Sequence, residues 1–233
     1  MSETTQNLGL PMVAAAQAQK HVTINEAFAA LDGIVQLSVI DTDLPSPPGS
    51  PAEGDRYIVG ASATGDWAGQ EGRVAVYDGG AWVFRLPRAG WRAWVLDEGR
   101  EIHHDGTGWL AAIAASPSGA TVTFQVTEEE VTVSGASVDT AITIPDRAIV
   151  FAVSTRTTEA VTGASSYDCG VAAEVGKFGG LLGIAAGSTN SGVVGPTAYF
   201  TATPVRLTAN GGSFTGGKVR VAIHFMGCGV PAS

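Results

Sequence analysis

The chain has 233 residues, 45% of them apolar and 15% charged, with a net charge of −9 and a sequence pI near 4.8. The apolar share supports a packed core and excludes global disorder. The charge excludes a nucleic-acid partner: phosphate binding needs clustered Lys and Arg, and the lysines are limited to Lys20, Lys177 and Lys218.

Abundant glycine, serine and threonine predict a mainly β protein with many tight turns. Residues 1–37 read as an N-terminal arm followed by an oligomerisation helix, with residues 1–11 polar and loosely held. The opening Met-Ser-Glu-Thr-Thr-Gln has no basic or apolar region of the kind that makes a signal peptide. No run reaches the roughly 20 apolar residues of a membrane span, so membrane insertion is not expected. A stripe through Ala14, Gln17, His21, Ile24, Phe28, Leu31 and Val35 alternates steps of three and four, as a coiled-coil seam requires. Thr23 to Glu26 also fits a capping box, which would start the helix at Ile24. Either way Ile24, Phe28, Leu31 and Val35 face something apolar. That is the body of their own domain, or matching helices of a homo-oligomer, with Gln17 and His21 as polar specifiers and a trimer favoured.

Residues 38–112 read as a small Trp-rich β-hairpin domain. It opens on an extended proline-rich connector, Leu44 to Pro51. All five tryptophans follow before residue 112. Val76-Tyr77-Asp78-Gly79-Gly80-Ala81-Trp82 and Ile102-His103-His104-Asp105-Gly106-Thr107-Gly108-Trp109 form a degenerate repeat, with a Trp four residues after the Asp. Asp-Gly accepts positive φ, so each copy is expected to be a hairpin. Strands are also expected at 55–59 and 91–96. Trp82, Trp94 and Trp109 read as core filler; Trp67 and Trp91, in Gly-flanked loops, read as candidates for stacking on a sugar ring.

Residues 113–120 read as a linker, and residues 121–233 as a C-terminal antiparallel β-sandwich of jelly-roll-like type. Strands are expected at 121–126, 131–133, 141–144, 148–153, 199–202, 205–208 and 218–225. Glu128 to Glu130 reads as a solvated charge run before a strand, and 176–195 as exposed loops rich in Gly, Ser and Asn. Tyr167, Phe178, Asn190 and Tyr199 are the glycan-binding candidates here, although Tyr199 lies in a strand and also fits the core. Cys169 and Cys228 fit either one disulfide or two inert thiols.

Catalytic chemistry finds little support. His103-His104-Asp105 supplies potential metal ligands, but neighbours on a strand point to opposite faces. Asp97, Glu98, Asp105 and Asp168 could be paired for glycoside cleavage, though spacing alone does not bring them together. No phosphate loop, Gly-x-Ser-x-Gly elbow or Cys-His signature occurs. The expectation is no enzyme, no catalytic residue, no metal and no cofactor.

The string from Gln17 to Ala27 with Leu31-Asp32, then Pro47-Pro48, Gly54-Asp55-Arg56-Tyr57-Ile58-Val59-Gly60, Thr64-Gly65-Asp66-Trp67-Ala68-Gly69, Trp82-Val83-Phe84, Pro87-Arg88-Ala89-Gly90-Trp91 and Asp105-Gly106-Thr107-Gly108-Trp109, resembles an uncharacterised domain family. That family occurs in phage and prophage structural proteins and in alphaproteobacterial gene transfer agents. The resemblance covers about residues 10–112. It implies a fibre or head-spike subunit on the surface of a virion or gene-transfer-agent particle, made in the bacterial cytoplasm and partnered by other particle structural proteins. The sequence-level reading is thus a structural and adhesion subunit that helps attach the particle to a cell-surface polysaccharide. The alternatives are a particle-borne depolymerase or peptidoglycan hydrolase, and a decoration protein that binds no receptor.

Overall fold

The computed structural model describes residues 4–14 and 20–231. The chain divides into two compact units, Met1–Ala111 and Ala112–Ser233.

In the N-terminal unit, α1 (Lys20–Ile34) is followed by β1 (Ser38–Val39), β2 (Arg56–Ile58), β3 (Val74–Asp78), β4 (Ala81–Arg85), β5 (Arg92–Val95), β6 (Arg100–His104) and β7 (Trp109–Leu110). β2, β3 and β4 form an antiparallel sheet; β1, β5, β6 and β7 form a second, in which β1 runs parallel to β5. Alternation along the strands builds two cores. Ile58, Val74 and Val76 join Val39, Val95 and Ile102 in one, while Tyr57, Val59 and Ala75 join Trp67 in the other. Both repeat copies are hairpins, β3–β4 and β6–β7. In the first, Gly79 and Gly80 take φ of 61° and 80°, so the turn centres on Gly79-Gly80, with Asp78 paired to Ala81 as the last strand rung.

The capping-box expectation is corrected. The helix starts at Lys20, so Thr23 lies inside it. Asn25, not Thr23, ties the preceding chain down: its Oδ1 accepts Val13 N at 2.9 Å and its Nδ2 donates to Val13 O at 3.1 Å. Ala14 precedes the helix, and Gln17 lies outside the described residues. Residues 4–11 of the arm are not loosely held either. Thr5 N donates to Leu10 O, Thr4 bridges Pro11, and the buried Asp32 carboxylate receives the N–H groups of Asn7 and Leu8. Thus α1 turns Asp32 and Gly33 inward, with Gly33 close against Val76.

The C-terminal unit holds β8 (Ala114–Ala115), β9 (Thr121–Thr132), β10 (Ser137–Ile144), β11 (Ile149–Thr162), β12 (Ser166–Val171), β13 (Glu174–Leu182), β14 (Thr189–Ala198), β15 (Thr203–Asn210) and β16 (Gly216–Cys228). One sheet has the order β10-β15-β12-β13 and the other β14-β11-β16-β9-β8, every pair antiparallel. Apart from the β12–β13 hairpin, consecutive strands from β9 to β16 alternate between the sheets, which is a jelly roll. The core between them holds Ile144, Val150, Val153, Leu207, Val221 and Ile223. Cys169 is buried and Cys228 exposed, and both thiols are free; burial pushes the Cys169 thiol up to about 12.

Four sequence expectations change in this unit, the first being that 199–202 is the loop between β14 and β15 and not a strand. The linker at 113–120 contributes β8, which pairs with the start of β9. Glu128 to Glu130 lies within β9: Glu128 and Glu130 point outward, and Glu129 turns inward to accept Ile142 N at 2.9 Å. The tract 176–195 is mostly strand, β13 and β14. Its glycines mark close approach: a Cβ on Gly192 would collide with the carbonyl of Phe178.

Candidate functional site

The β3–β4 hairpin presents an aromatic wall. Tyr77 and Trp82 are cross-strand partners, and Phe84 lies two residues beyond Trp82 on the same face. All three rings are half-buried. Opposite stand Pro47, Pro48 and Pro51 of the connector, and Asp66 and Gly80 also line the open groove of about 470 Å³. The connector is pinned where it leaves the groove: Thr64 N donates to Pro45 O at 2.7 Å and Gly60 N to Leu44 O at 3.0 Å. Beneath the wall, Trp82 meets Trp67 edge-on at 5.1 Å and Tyr57 at 5.8 Å, and it touches Tyr77 at 5.0 Å. Glu53 accepts Gly79 N and Gly80 N, both at 2.8 Å, and so holds the hairpin tip. A second groove of about 460 Å³ is lined in part by Ile58, Gly72, Trp109 and the ion-paired Glu98 and Arg100.

The glycan candidates named from sequence fare differently. Trp67 is 0% exposed, because its short 3-10 turn folds the indole under the sheet. Tyr167 and Phe178 are 1% and 2% exposed, in the sandwich core, since both occupy inward positions of their strands. None of these three rings has a free face for a sugar. Asn190 is half-buried and spends its amide on Phe178 O at 2.9 Å. Tyr199, just past the end of β14, packs partly on the core; burial raises its hydroxyl above the usual range. Trp91 packs partly against the Val39 core. The half-exposed Trp82 was read as filler, although its place on a hairpin beside Tyr77 and Phe84, at alternating positions, was the signal for a shared face.

Ile24, Leu31 and Val35 are 41%, 46% and 39% exposed, with Phe28 half-buried beside them. Within α1, Asp32 and Gly33 are buried while Ile24 and Leu31 stand at the surface, and Val35 lies one residue past the end of the helix. A further bare apolar area lies on the outer face of the five-stranded sheet, where Phe124 and Phe151 stand 5.5 Å apart and Ser154 Oγ lies 3.0 Å from His224 Nε2.

The expected chemistry is dispersed. Asp105 Oδ1 accepts Thr107 N, Thr107 Oγ1 and Gly108 N; these hydrogen bonds, led by those from the two backbone amides, lower its carboxyl to about 2. Asp168 Oδ1 accepts Leu181 N and Asn210 Nδ2 in the other unit. His104 is buried edge-on to Trp109, and its Nδ1 accepts Gly106 N. Among the described residues, no group of three or more His, Cys, Asp or Glu side chains is placed to hold a metal ion. No helix among them is long and apolar enough to cross a membrane.

Residues 24–110 match a family described as a protein of unknown function (DUF2793). No curated protein matches the chain. Among solved structures, a chain of the cyanophage Pam1 capsid asymmetric unit is similar at 19% identity and a TM-score of 0.37, over 50% of this chain and 94% of that one.

Proposed function

We propose that this protein is a self-assembling structural subunit of a phage-like particle, a fibre or spike component that binds a cell-surface glycan without turning it over. The observation that carries the reading is the exposed apolar stripe. Ile24, Phe28, Leu31 and Val35 form a coiled-coil-spaced stripe, and three of the four are exposed in the single chain. Such a stripe is complementary to copies of itself, because knobs spaced three and four apart fit the holes of an identical helix. Particle subunits assemble around symmetry axes, and we favour a trimer. The motif series from residue 17 to 109, which resembles that of phage and prophage structural proteins, supports the particle assignment.

The test is the native mass of the purified chain. The expected result is a homo-oligomer, most simply a trimer, that dissociates when Leu31→Ala is combined with Phe28→Ala while the circular dichroism of the β-structure persists. A wild-type monomer at working concentration would overturn the assembly reading. New reducing ends after incubation with isolated capsule or cell wall would replace binding by hydrolysis.

A further inference from the structure

We infer that the groove above the β3–β4 hairpin is a binding site for a neutral oligosaccharide. The inference rests on the attachment reading above and gives it a location, in the N-terminal unit.

A pyranose has a flat C–H face and a rim of hydroxyls. It is held by aromatic rings below and by neutral or acceptor groups around the edge. Tyr77, Trp82 and Phe84 supply three rings on one side of one sheet. The Trp82 ring is preorganised, since Trp67 and Tyr57 hold it edge-on from within the core. A ring fixed in advance loses little freedom when a ligand arrives, and that raises affinity. Pro47, Pro48 and Pro51 add rigid apolar surface across the groove, and a proline has a backbone carbonyl but no N–H. Asp66 is the one charged side chain in the lining among the described residues, and its carboxylate can accept hydrogen bonds from hydroxyl groups.

That lining also selects. Among the described residues it contains no Lys or Arg to receive a carboxylate or sulfate, and residues 1–115 carry 7 basic against 14 acidic side chains. An acidic sugar would meet uncompensated repulsion from Asp66. Glu53 is committed to the hairpin tip through both carboxylate oxygens, so its role is to shape the groove. An aromatic groove can also take a proline-rich peptide. The groove's own prolines already occupy one wall, and the carboxylate favours a hydroxyl-bearing occupant.

The experiment uses the full chain in its native assembly state against an immobilised panel of neutral and acidic oligosaccharides and a polyproline peptide. Affinities of hits are then measured by calorimetry. Tyr77→Ala and Asp66→Ala remove groove side chains outside the buried core, and Trp94→Ala, an exposed tryptophan on β5 away from the groove, is the control. The expected result is binding of neutral oligosaccharides, weakened about tenfold by Tyr77→Ala and measurably by Asp66→Ala, with Trp94→Ala unchanged. Saccharide binding that survives both groove variants overturns the site and leaves the attachment reading standing. Binding of acidic sugars alone overturns the ligand class, and binding of the peptide alone overturns the occupant. No binding to any saccharide overturns the site and the attachment reading together.

Discussion

Asp32, on the inward face of α1, accepts the backbone N–H of Leu8 at 2.7 Å and that of Asn7 at 3.0 Å, fastening the N-terminal arm to the helix. Burial alone would raise this carboxyl. Hydrogen bonds from Thr5, Leu8 and Asn7 outweigh it, and the net shift is downward. Each hydrogen bond to a charged group contributes about 1.5–3 kcal/mol. Asp32→Ala should therefore lower the stability of the N-terminal unit by at least about 2 kcal/mol and open residues 4–11 to proteolysis. Equilibrium urea unfolding followed by tryptophan fluorescence reads the first effect, because every tryptophan lies in this unit.

The same carboxylate makes the unit acid-sensitive. Its folded pKa lies below the unfolded value near 3.8, so its contribution is complete above that value and fades as the pH falls below it. Asp105, lowered to about 2, adds a component of the same sign over the window from 3.8 downward. Asp32→Asn should thus be least stable relative to wild type at neutral pH, with the gap narrowing as the carboxylates protonate. A gap that widens in acid would mean that Asp32 is not stabilised as the anion.

The hairpin tip depends on glycine. Gly79 has a φ of 61°, and nothing lies within 4 Å of an added Cβ, so any cost there comes from backbone conformation alone. Gly79→Val should destabilise by roughly 1–2 kcal/mol, the cost of placing an L-residue in the left-handed region. Gly106, with a φ of 109°, should respond in the same direction. Unchanged melting temperatures in both variants would contradict the turn geometry.

Much of this architecture was legible from local chemistry. Asp-Gly pairs marked both N-terminal hairpins, and alternation marked most strands of the sandwich. What failed was long-range. Glu129 sits in a continuous strand because β9 pairs along β16, and its carboxylate finds Ile142 N on β10; no local pattern announces either partner. Gly-rich 176–195 looked like loop because glycine weakens an isolated strand. Here the same glycines let β13 and β14 approach closely. Gly192→Ala tests this: its methyl would meet the Phe178 carbonyl and stand 2.6 Å from Val153 O. Overpacking of this kind costs about 1–3 kcal/mol, so a clear loss of sandwich stability in thermal melts is expected. A neutral substitution would restore the loop reading.

The exchange of roles between Trp67 and Trp82 yields the last prediction. The Gly-flanked Trp67 looked exposed because loops usually are. Its turn instead inserts the indole fully beneath the sheet, where it touches Tyr57 and Trp82 and leaves Trp82 half-exposed at the groove. Removing a buried tryptophan costs about 3–5 kcal/mol, so Trp67→Ala should be among the most damaging single changes in the N-terminal unit. Trp67→Phe should cost much less. The indole N–H has no hydrogen-bond partner among the described residues, so phenylalanine loses ring volume but no hydrogen bond. The two variants should also differ at the groove. Trp67→Phe keeps an aromatic support under Trp82, whereas Trp67→Ala lets that ring tilt into the vacated space and blunts ligand stacking from below. Unfolding midpoints by fluorescence and saccharide affinity of the folded fraction check both halves. Equal losses for Phe and Ala would mean that only the full indole, and not an aromatic ring of any size, holds the cluster together.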